Sequence, residues 1–369
     1  MRLKVLITTN LPAPYFVNYA AELNKYVDLT VVFEIKRAKG RDKKWKSSNY
    51  TFKHIFLNAI RIGNESGLSF KIKKIIKQGH FDRIIIANPT TLTGIVAILY
   101  CKRNKIPYIL QSEGGFQGKG NGLKERFKKI LFKDAVMYLT GMGGDDDYFL
   151  KYGASAEKLK PYFFTSSYKK DIDEKCLTLE QKTILREKIG LTYQKVILYV
   201  GQFIYRKGID ILLEAFGKIN NPNYCLVIIG GKPTQEYLDM ISLNSIKNVF
   251  FIDFLDKDTL ANYYRASDIF AMATRKDTWG LVVNEAMEHG LPVVTTNNCV
   301  AAKYLIKDGF NGFVINNKST EFATIFEKIL KDDKLLKLLS ENSLNNIKEH
   351  TIENMALTVY KYLKEDYLT

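Results

Sequence analysis

The first third of the chain alternates between short apolar runs and segments in which apolar residues recur at helical spacing. Apolar runs rich in β-branched residues predict strands, and an apolar residue every three or four positions predicts a helix. The predicted strands are Leu3–Thr8, Leu29–Phe33, Arg83–Ala87 and Pro107–Gln111. The predicted helices are Tyr15–Asn24, Phe70–Gln78 and Leu92–Arg103. This alternation predicts an α/β fold with helices on both faces of a parallel sheet.

The same pattern resumes at Val196, after a polar, charged stretch over about 165–194 that we interpret as the connection between two domains. A chain of 369 residues with 46% apolar content is long enough for two ordinary domains. We therefore expect one domain over 1–168 and a second over 190–350. A C-terminal helix over about 352–369 is expected to pack back on the first domain.

A basic segment follows the first predicted strand of the second half. Val196–Val200 is typical of a buried parallel strand, and Gly201 ends it. Arg206 and Lys207 then precede Gly208 and a helical pattern. Cations at the carboxyl end of such a strand lie where open α/β sheets bind ligands, and they suit a diphosphate. The competing interpretation, two solvated cations at a helix start, is disfavoured because cations are stabilised at helix C-termini.

The pattern of residues over Asp277–Val294 predicts a loop, a short helix and a buried strand. Gly280 allows a tight turn, and the helix is predicted to begin at about Leu281. The first amides of a helix lack intrahelical partners and attract a phosphate. Glu285 then lies one turn inside, within reach of a ribose or sugar hydroxyl. Taken alone, an amphipathic helix with Asp277 as an N-terminal charge explains this segment equally well.

Together the two segments resemble the retaining glycosyltransferases of family 4. That family places an acidic residue, seven others and a glutamate around the donor sugar, a pattern matched by Asp277 and Glu285. Its diphosphate-binding loop is matched by Gly201, Gln202, Arg206, Lys207 and Gly208. Further similarity covers Val227–Gly231, Leu260–Thr274 and Leu305–Ile315. The resemblance is specific over about 196–316 and only general before that.

Two positions depart from the family pattern. Asp277 stands where the family usually has Glu, which shortens the side chain by one methylene. Gln202 stands where an Arg is common, which removes one phosphate-facing charge. Because both positions face the donor in the family, they leave the identity of the donor sugar open.

The resemblance implies a GT-B fold, with two facing Rossmann-like domains that contain parallel sheets. The second domain would bind a nucleotide-sugar, a UDP-sugar ahead of a GDP-sugar, and the first would bind the acceptor. The implied reaction moves the sugar, with retention, to a hydroxyl of a lipid-linked or polysaccharide glycan, such as lipopolysaccharide or capsule. No metal and no cofactor are expected, since the nucleotide-sugar is a substrate.

The resemblance also implies roles for individual residues. Arg206 and Lys207 would stabilise charge on the leaving diphosphate, Glu285 would hold donor hydroxyls, and Asp277 would contact the sugar. The candidate catalytic residues are Glu113, Arg206, Lys207, Asp277 and Glu285. The candidate donor-binding residues are Gly201, Gln202, Arg206, Lys207, Gly231, Asp277, Trp279, Gly280, Leu281, Val282 and Glu285.

Candidate chemistry in the first half is limited to the segment Gln111–Gly115, which follows a predicted buried strand. Where the family commonly has a His at about this place, this chain has Glu113. Glu113 either orients the acceptor hydroxyl, acts as its base, or caps a turn. The three aspartates 145–147 are interpreted first as a helix cap, and the four histidines show no metal-ligand spacing.

Charge is distributed unevenly along the chain. Residues 1–170 contain 31 Lys and Arg against 13 Asp and Glu, a balance of +18. The remainder contains 24 (55 − 31) against 26 (39 − 13), a balance of −2. This division predicts an anionic partner for the first half: a membrane face, a lipid diphosphate or nucleic acid. We expect peripheral contact with an anionic membrane and no nucleic-acid binding, since no reading helix or aromatic–basic element is evident.

Two basic clusters contribute most to this excess, Lys36–Lys46 and Leu123–Lys133. In the second cluster, apolar residues share one face of a predicted helix beside Lys and Arg; they are Leu123, Phe127, Ile130 and Leu131. Such a helix can lie in a membrane interface. We prefer the interpretation that its apolar face packs on its own sheet. A mixed role, with the lysines facing anionic lipid, is the third alternative.

The remaining sequence features concern the cellular location. Four widely spaced cysteines suit a reducing compartment, and neither a signal peptide nor a membrane-spanning run is predicted. We therefore expect a cytoplasmic protein, peripheral on the inner face of the cytoplasmic membrane. Two other classes stay open: a different GT-B enzyme, such as a sugar-nucleotide epimerase or an inverting transferase, and a basic nucleic-acid-binding protein.

Overall fold

The structure is a computed structural model that describes residues 2–39, 50–112, 122–141, 146–219 and 221–365. It divides into two compact units. The first unit contains residues 1–166 and 351–369, and the second contains residues 167–350. The second unit begins earlier than the predicted domain over 190–350, because part of the polar stretch before residue 190 folds onto it.

The first unit is built on a seven-stranded parallel sheet with the strand order β3-β2-β1-β6-β7-β8-β9. A separate antiparallel pair joins β4 to β5. The strands are β1 Lys4–Thr9, β2 Asp28–Phe33, β3 Lys53–Phe56, β4 Ile60–Ile62, β5 Ser66–Leu68, β6 Arg83–Ile86, β7 Ile109–Ser112, β8 Met137–Gly141 and β9 Leu159–Tyr162. The order of connection reverses between the neighbouring strands β1 and β6.

In the described part of this unit, five helices connect the strands. They are α1 Pro14–Leu23, α2 Lys71–Gly79, α3 Leu92–Arg103, α4 Leu123–Phe132 and α5 Asp146–Lys151. All strands and helices predicted before residue 112 are confirmed, with ends shifted by at most about two residues, as is usual for element boundaries. The strands β3, β4 and β5 were not predicted, because all three are short and β3 and β4 expose most of their side chains.

Helix α4 corrects one prediction from the sequence. Leu131 and Phe132 are buried in the core of the first unit, but Leu123, Phe127 and Ile130 are exposed. The preferred interpretation, in which the apolar face packs on its own sheet, is therefore wrong for these three residues. The carbonyl oxygens of the last two residues of the helix, Leu131 and Phe132, accept hydrogen bonds from Tyr108 and Tyr138.

The second unit is built on a six-stranded parallel sheet with the order β12-β11-β10-β13-β14-β15. The strands are β10 Lys195–Val200, β11 Tyr224–Ile229, β12 Val249–Ile252, β13 Ile269–Met272, β14 Val293–Thr296 and β15 Gly312–Ile315. The middle strands are buried on both faces, as expected for a parallel sheet with helices on each side. Here the order of connection reverses between β10 and β13.

The helices of the second unit are α6 Leu179–Lys188, α7 Ile209–Ile219, α8 Gln235–Leu243, α9 Lys257–Ala266, α10 Leu281–Glu288, α11 Ala302–Leu305, α12 Ser319–Leu330 and α13 Asp333–Ile347. Helix α6 lies inside the stretch that the sequence suggested was only a connection. Its Arg186 is buried and pairs with Asp268 at 2.6 Å. The stretch is therefore polar partly because it supplies a buried ion pair to the second unit.

The last helix, α14 Ile352–Leu363, belongs to the first unit. Its Tyr360 stacks on Tyr26 with ring centroids 5.1 Å apart. The guanidinium of Arg83 donates to the carbonyl oxygens of Leu363 and Glu365, at 3.1 Å each. These contacts hold the C-terminal helix against the first sheet. Among the described residues, no helix is both long and apolar enough to cross a membrane.

Candidate functional site

The candidate site lies at the carboxyl edge of the second sheet, where the order of connection reverses. Strands β10 and β13 are paired neighbours, with Ile197 opposite Ile269 and Leu198 opposite Phe270. The chain leaves them toward opposite ends of the sheet, and the carboxyl edge at such a reversal is where open α/β sheets bind ligands. The two sequence motifs are these two loops. The fold therefore brings together segments about 70 positions apart along the chain.

Close packing of the backbone joins the two loops. Gly208 has a φ of 72°, and a Cβ atom at this position would lie 1.8 Å from the carbonyl oxygen of Ala273. The carbonyl oxygen of Arg206 accepts hydrogen bonds from the Arg275 amide at 2.8 Å and the Thr274 hydroxyl at 3.1 Å. Glycine is therefore required at position 208, and the basic loop has little freedom to move.

Two cations of the basic loop meet one carboxylate of the acidic loop. The Lys207 ammonium donates a hydrogen bond to Asp277, and both side chains are largely buried. The Arg206 guanidinium lies 3.7 Å from the other oxygen of Asp277 and donates to the Lys276 carbonyl oxygen at 2.6 Å. Arg206 is 42% exposed, so it is the more accessible of the two cations. We predicted separate roles for Lys207 and Asp277, whereas the structure pairs them.

A second ion pair behind the basic loop was not predicted. Arg275 binds Asp210 through two hydrogen bonds of 2.8 and 2.5 Å. Its guanidinium also lies 3.8 Å from the ring centroid of Tyr205 and donates to the Tyr205 carbonyl oxygen. A bidentate pair of this kind fixes orientation as well as distance. The available signal was an Arg two positions before Asp277 and an Asp at the start of the helix after Gly208.

The turn that precedes α10 is shaped by buried groups. Gly280 has a φ of 99°, and a Cβ atom there would lie 2.9 Å from the Cys299 sulfur. Trp279 is buried, donates from Nε1 to Asn284 at 3.0 Å and stacks on Tyr304 with centroids 6.1 Å apart. The Trp279 ring therefore supports the turn from inside the unit.

Helix α10 begins at Leu281, as the sequence predicts. Leu281 and Val282 are partly exposed in its first turn. The amides of a first helical turn have no partner within the helix and carry the positive end of the dipole. This helix start can therefore accept an anion beside the Lys207–Asp277 pair.

Glu285 lies on α10 and accepts a hydrogen bond from the Tyr264 hydroxyl at 3.0 Å. Tyr264 is buried, and burial together with the Glu285 carboxylate raises the pKa of its phenol well above the usual range. Tyr264 therefore stays protonated and orients Glu285. The structure thus adds Tyr264 to the candidate residues; it was missed because it lies on α9, outside both motifs.

A second carboxyl group lies one helical turn beyond Glu285. Glu288 is buried, and burial raises its pKa to about 8, while the Ser167 hydroxyl and the Lys257 ammonium oppose the rise. The neighbouring Glu285 carboxylate favours the neutral form of Glu288. At neutral pH α10 therefore presents one partly exposed carboxylate, Glu285, and one buried neutral carboxyl, Glu288.

The end of α10 is fixed by a charged group that includes one of the four histidines. Asp173 accepts from Arg265 at 2.6 and 3.0 Å and lies 2.9 Å from Nδ1 of His289. Burial opposes ionisation of Asp173, but these two partners hold its pKa below the usual range. The Asp173 amide also donates to the Glu288 carbonyl oxygen at 2.9 Å. This group supports the helix that carries Glu285.

The other predicted donor residues lie at the same edge of the sheet. The Gly201 amide donates to Ile229 at 2.9 Å, and the Gln202 carbonyl oxygen accepts from Tyr199 at 3.3 Å. A Cβ atom on Gly231 would lie 3.5 Å from the ring of Phe203. The residues that follow β10 and β11 therefore lie close together at this edge of the sheet.

Some predicted residues lie outside this description. Glu113 is outside the described residues, as is Asp145. Asp146 and Asp147 occupy the first turn of α5, which agrees with their interpretation as helix-capping charges. Within the described part of the chain, no group of three or more His, Cys, Asp or Glu side chains is arranged to hold a metal ion.

Residues 181–346 match the family model described as Glycosyl transferases group 1. An uncharacterized glycosyltransferase of Methanocaldococcus jannaschii is 30% identical over 198 residues, which cover 51% of this chain and 50% of that protein. Alpha-monoglucosyldiacylglycerol synthase of Acholeplasma laidlawii is 30% identical over 207 residues, which cover 55% of this chain and 49% of that protein. The matched part of this chain therefore spans about half the length of these two relatives.

A solved structure extends the likeness to the whole chain. The crystal structure of HepE from Anabaena in complex with UDP and glucose has a TM-score of 0.77 to this chain, at 17% identity. The likeness covers 99% of this chain and 100% of that chain. The predicted GT-B fold is thereby confirmed. The family match confirms the resemblance to glycosyltransferases of group 1, and membership of family 4 stays a prediction.

Proposed function

Because residues 181–346 match the glycosyl transferases group 1 model and the chain has the GT-B fold, we propose that the protein transfers a sugar from a nucleoside-diphosphate sugar to an acceptor hydroxyl. One observation carries this proposal. Arg206, Lys207 and Asp277 converge at the edge of the second sheet where the order of connection reverses, beside the start of α10. Two cations and a helix N-terminus are suited to a diphosphate.

The donor diphosphate binds against Arg206 and Lys207 in this proposal. Lys207 then shifts from Asp277 toward a phosphate oxygen, and the accessible Arg206 adds a second charge-assisted hydrogen bond. Charge that develops on the leaving diphosphate is stabilised by these groups and by the amides of Leu281 and Val282. Asp277, released from Lys207, is left to contact the sugar.

The donor hydroxyls bind Glu285, whose carboxylate is oriented by the Tyr264 hydroxyl. The neutral form of Glu288 keeps a second negative charge away from Glu285 at neutral pH. A binding group that is held rigidly is more effective than a mobile one. We therefore propose that Tyr264 and the Asp173–His289 pair position Glu285.

The donor is a UDP-sugar ahead of a GDP-sugar, and transfer proceeds with retention and without a metal or other cofactor. The likeness to HepE, solved with UDP and glucose, supports the choice of UDP. The acceptor is a lipid-linked or polysaccharide glycan, a choice supported by the relative named as a monoglucosyldiacylglycerol synthase and by the +18 balance of residues 1–170. The protein then works in the cytoplasm at the inner face of the membrane.

A panel of UDP- and GDP-sugars, examined first by thermal shift and then for transfer, tests this function. A ligand at about a hundred times its dissociation constant adds roughly 2.7 kcal/mol to stability, so the preferred donor should stand out. Consumption of that donor should require an acceptor, and the anomeric configuration of the product reports retention. Conversion of the sugar without acceptor would favour an epimerase. Salt-sensitive DNA binding without any nucleotide-sugar effect would favour a nucleic-acid-binding protein.

A further inference from the structure

Arg275 in the acidic loop, residues 273–280, is bound to the helix that follows the basic loop, residues 201–208. Its guanidinium donates hydrogen bonds of 2.8 and 2.5 Å to Asp210, in the first turn of α7. The two side chains are 24% and 26% exposed, so most of this ion pair is shielded from water. The pair joins residues 65 positions apart and ties the acidic loop to the start of α7.

The backbone of the basic loop is held by the same arginine. Nη1 of Arg275 donates to the Tyr205 carbonyl oxygen at 2.7 Å, and the Arg275 amide donates to the Arg206 carbonyl oxygen at 2.8 Å. The guanidinium carbon lies 3.8 Å from the centroid of the Tyr205 ring, which is a cation–π contact. One residue therefore fixes two successive carbonyl groups of the basic loop.

These carbonyl groups belong to the turn that carries both candidate phosphate-binding cations. Tyr205–Lys207 forms a single 3₁₀ turn, which is followed by Gly208 in the left-handed region. Because Arg206 and Lys207 are neighbours in this turn, a displacement of its backbone moves both cations at once. A misplacement of about 1 Å can cost roughly a hundredfold in rate. The position of the turn therefore matters as well as its charge.

Arg275 acts through these two cations because its own donors are engaged. Both terminal nitrogens donate to protein oxygens, Nη1 to Tyr205 and Asp210 and Nη2 to Asp210. A guanidinium provides such a planar fork, whereas an ammonium would provide a point charge. The arrangement therefore depends on arginine itself, and not only on a positive charge.

The stability of α7 does not explain the pair. A carboxylate such as Asp210 is favourable in the first turn of a helix without any partner. An ion pair that is partly exposed adds little to stability. What the pair provides is a fixed position for the Arg275 side chain, and through it for the backbone of Tyr205 and Arg206.

We propose that Arg275, oriented by Asp210, is a positioning residue that holds Arg206 and Lys207 in the geometry that binds the donor diphosphate. The proposal rests on the proposed function, because it concerns the same site. Cations that are held in place before the donor arrives need no reorganisation as charge develops on the leaving diphosphate. Loss of the pair should therefore weaken recognition of the diphosphate more than recognition of the nucleoside.

Titration calorimetry of UDP and of uridine at fixed salt tests this role. Arg275→Lys keeps the charge and loses the fork, Asp210→Asn keeps the shape of the side chain and loses its charge, and a third variant combines the two. Arg61→Lys is the matched control in the first unit, at an exposed arginine that donates to two carbonyl oxygens. Glu214→Gln is the control on α7, at an exposed glutamate that pairs with Lys218.

The preference for UDP over uridine should fall by about three- to tenfold in each single variant, because members of one hydrogen-bond network are coupled by energies of that order. The double variant should lose no more than the more strongly affected single variant, since both changes break the same contact. Uridine affinity should hold within about twofold in every variant, and both controls should keep the wild-type preference.

Melting temperatures are measured on every variant. A lower melting temperature with an unchanged preference for UDP would make the pair a structural feature and overturn the proposal. A stronger preference for UDP in Asp210→Asn would also overturn it, because the freed guanidinium would then be a direct phosphate ligand. If Arg275→Lys does not fold, Asp210→Asn alone decides. A wild type without preference for UDP would count against the proposed function, whereas a wild-type preference that both single variants keep would count only against the role of Arg275.

Discussion

The two units share one topology but differ in what lies where the order of connection reverses. In the second unit this edge carries Lys207 and Asp277 with the accessible Arg206. In the first unit, the ends of β1, β2 and β6 meet in a buried network. Thr8 donates to Asn88 at 2.9 Å, and Glu34 accepts from the Gly67 amide at 2.7 Å. Burial also raises the pKa of Glu34. Topology therefore marks where a site can form, and the side chains decide whether it does.

The units also differ in how they use charge. Many cations of the second unit are paired, such as Arg275 with Asp210 and Arg186 with Asp268. The first half carries an excess of +18, and part of it faces outward on α4. Paired charges fix the geometry of a specific binding site, whereas an excess of positive charge attracts an extended anionic surface. This contrast predicts that changes in one unit leave the function of the other intact.

The largest expected effect is on folding of the second unit. Gly208→Ala places a Cβ atom against the Ala273 carbonyl oxygen at a residue with positive φ, so we expect a loss of about 2–4 kcal/mol and loss of UDP binding. Gly122→Ala, in the first unit, meets no atom of the described residues within 4 Å and should change stability far less. Chemical denaturation of both variants measures the difference. Comparable losses would show that the close approach of the two loops is unimportant.

The next largest effect concerns donor use. Glu285→Gln keeps the shape of the side chain and removes its charge, so turnover should fall by about 10–100-fold while the fold survives. Glu34→Gln makes the same chemical change in the first unit, at the edge where the order of connection reverses. It should leave donor affinity unchanged. Steady-state kinetics and melting curves separate the two variants. Wild-type kinetics for Glu285→Gln would indicate that the segment around Glu285 is an ordinary amphipathic helix with no role in donor use.

A third effect concerns how the stability of the fold depends on pH. The pKa of Glu288 is about 8 in the folded chain against 4.5 for an ordinary Glu, so between these values the folded state binds more protons than the unfolded state. Its contribution to stability therefore falls as pH rises from about 5 to 8. Glu288→Gln should remove this slope, on the order of a few kcal/mol over the range. If the free energy of unfolding depends on pH in the same way in the variant and the wild type, Glu288 ionises normally.

The smallest effect restores a charge that the family commonly has. Gln202→Arg, at an exposed position, should tighten UDP binding by about three- to tenfold, the effect of one partly solvated charge-assisted contact. Gln78→Arg, exposed in the first unit, adds the same charge elsewhere and should not. Titration calorimetry at fixed salt compares them. Equal gains from both variants would mean that net charge, and not the position of residue 202, controls affinity.

Much of the fold was predictable because buried parallel strands and amphipathic helices leave periodic patterns. The two donor motifs could be recognised in the sequence because their glycines and charges follow strands at short spacing. The contacts between Lys207 and Asp277, and between Tyr264 and Glu285, could not be predicted from the sequence, because each joins residues on separate elements. Whether such residues meet depends on which strands are neighbours. The orientation of α4 was predicted wrongly because a face that is apolar along the sequence does not reveal whether a sheet lies against it.

In the proposed function, the Lys207–Asp277 edge of the second unit binds a nucleoside diphosphate. Titration calorimetry of UDP and uridine against the wild type and Lys207→Ala tests it most directly, with Lys218→Ala as a control on an exposed lysine of the same unit. We predict that the wild type prefers UDP, and that Lys207→Ala lowers this preference by about tenfold or more while uridine affinity holds, as expected for a charge-assisted contact of roughly 1.5–3 kcal/mol. An unchanged preference for UDP over uridine in Lys207→Ala would show that Lys207 does not bind the diphosphate.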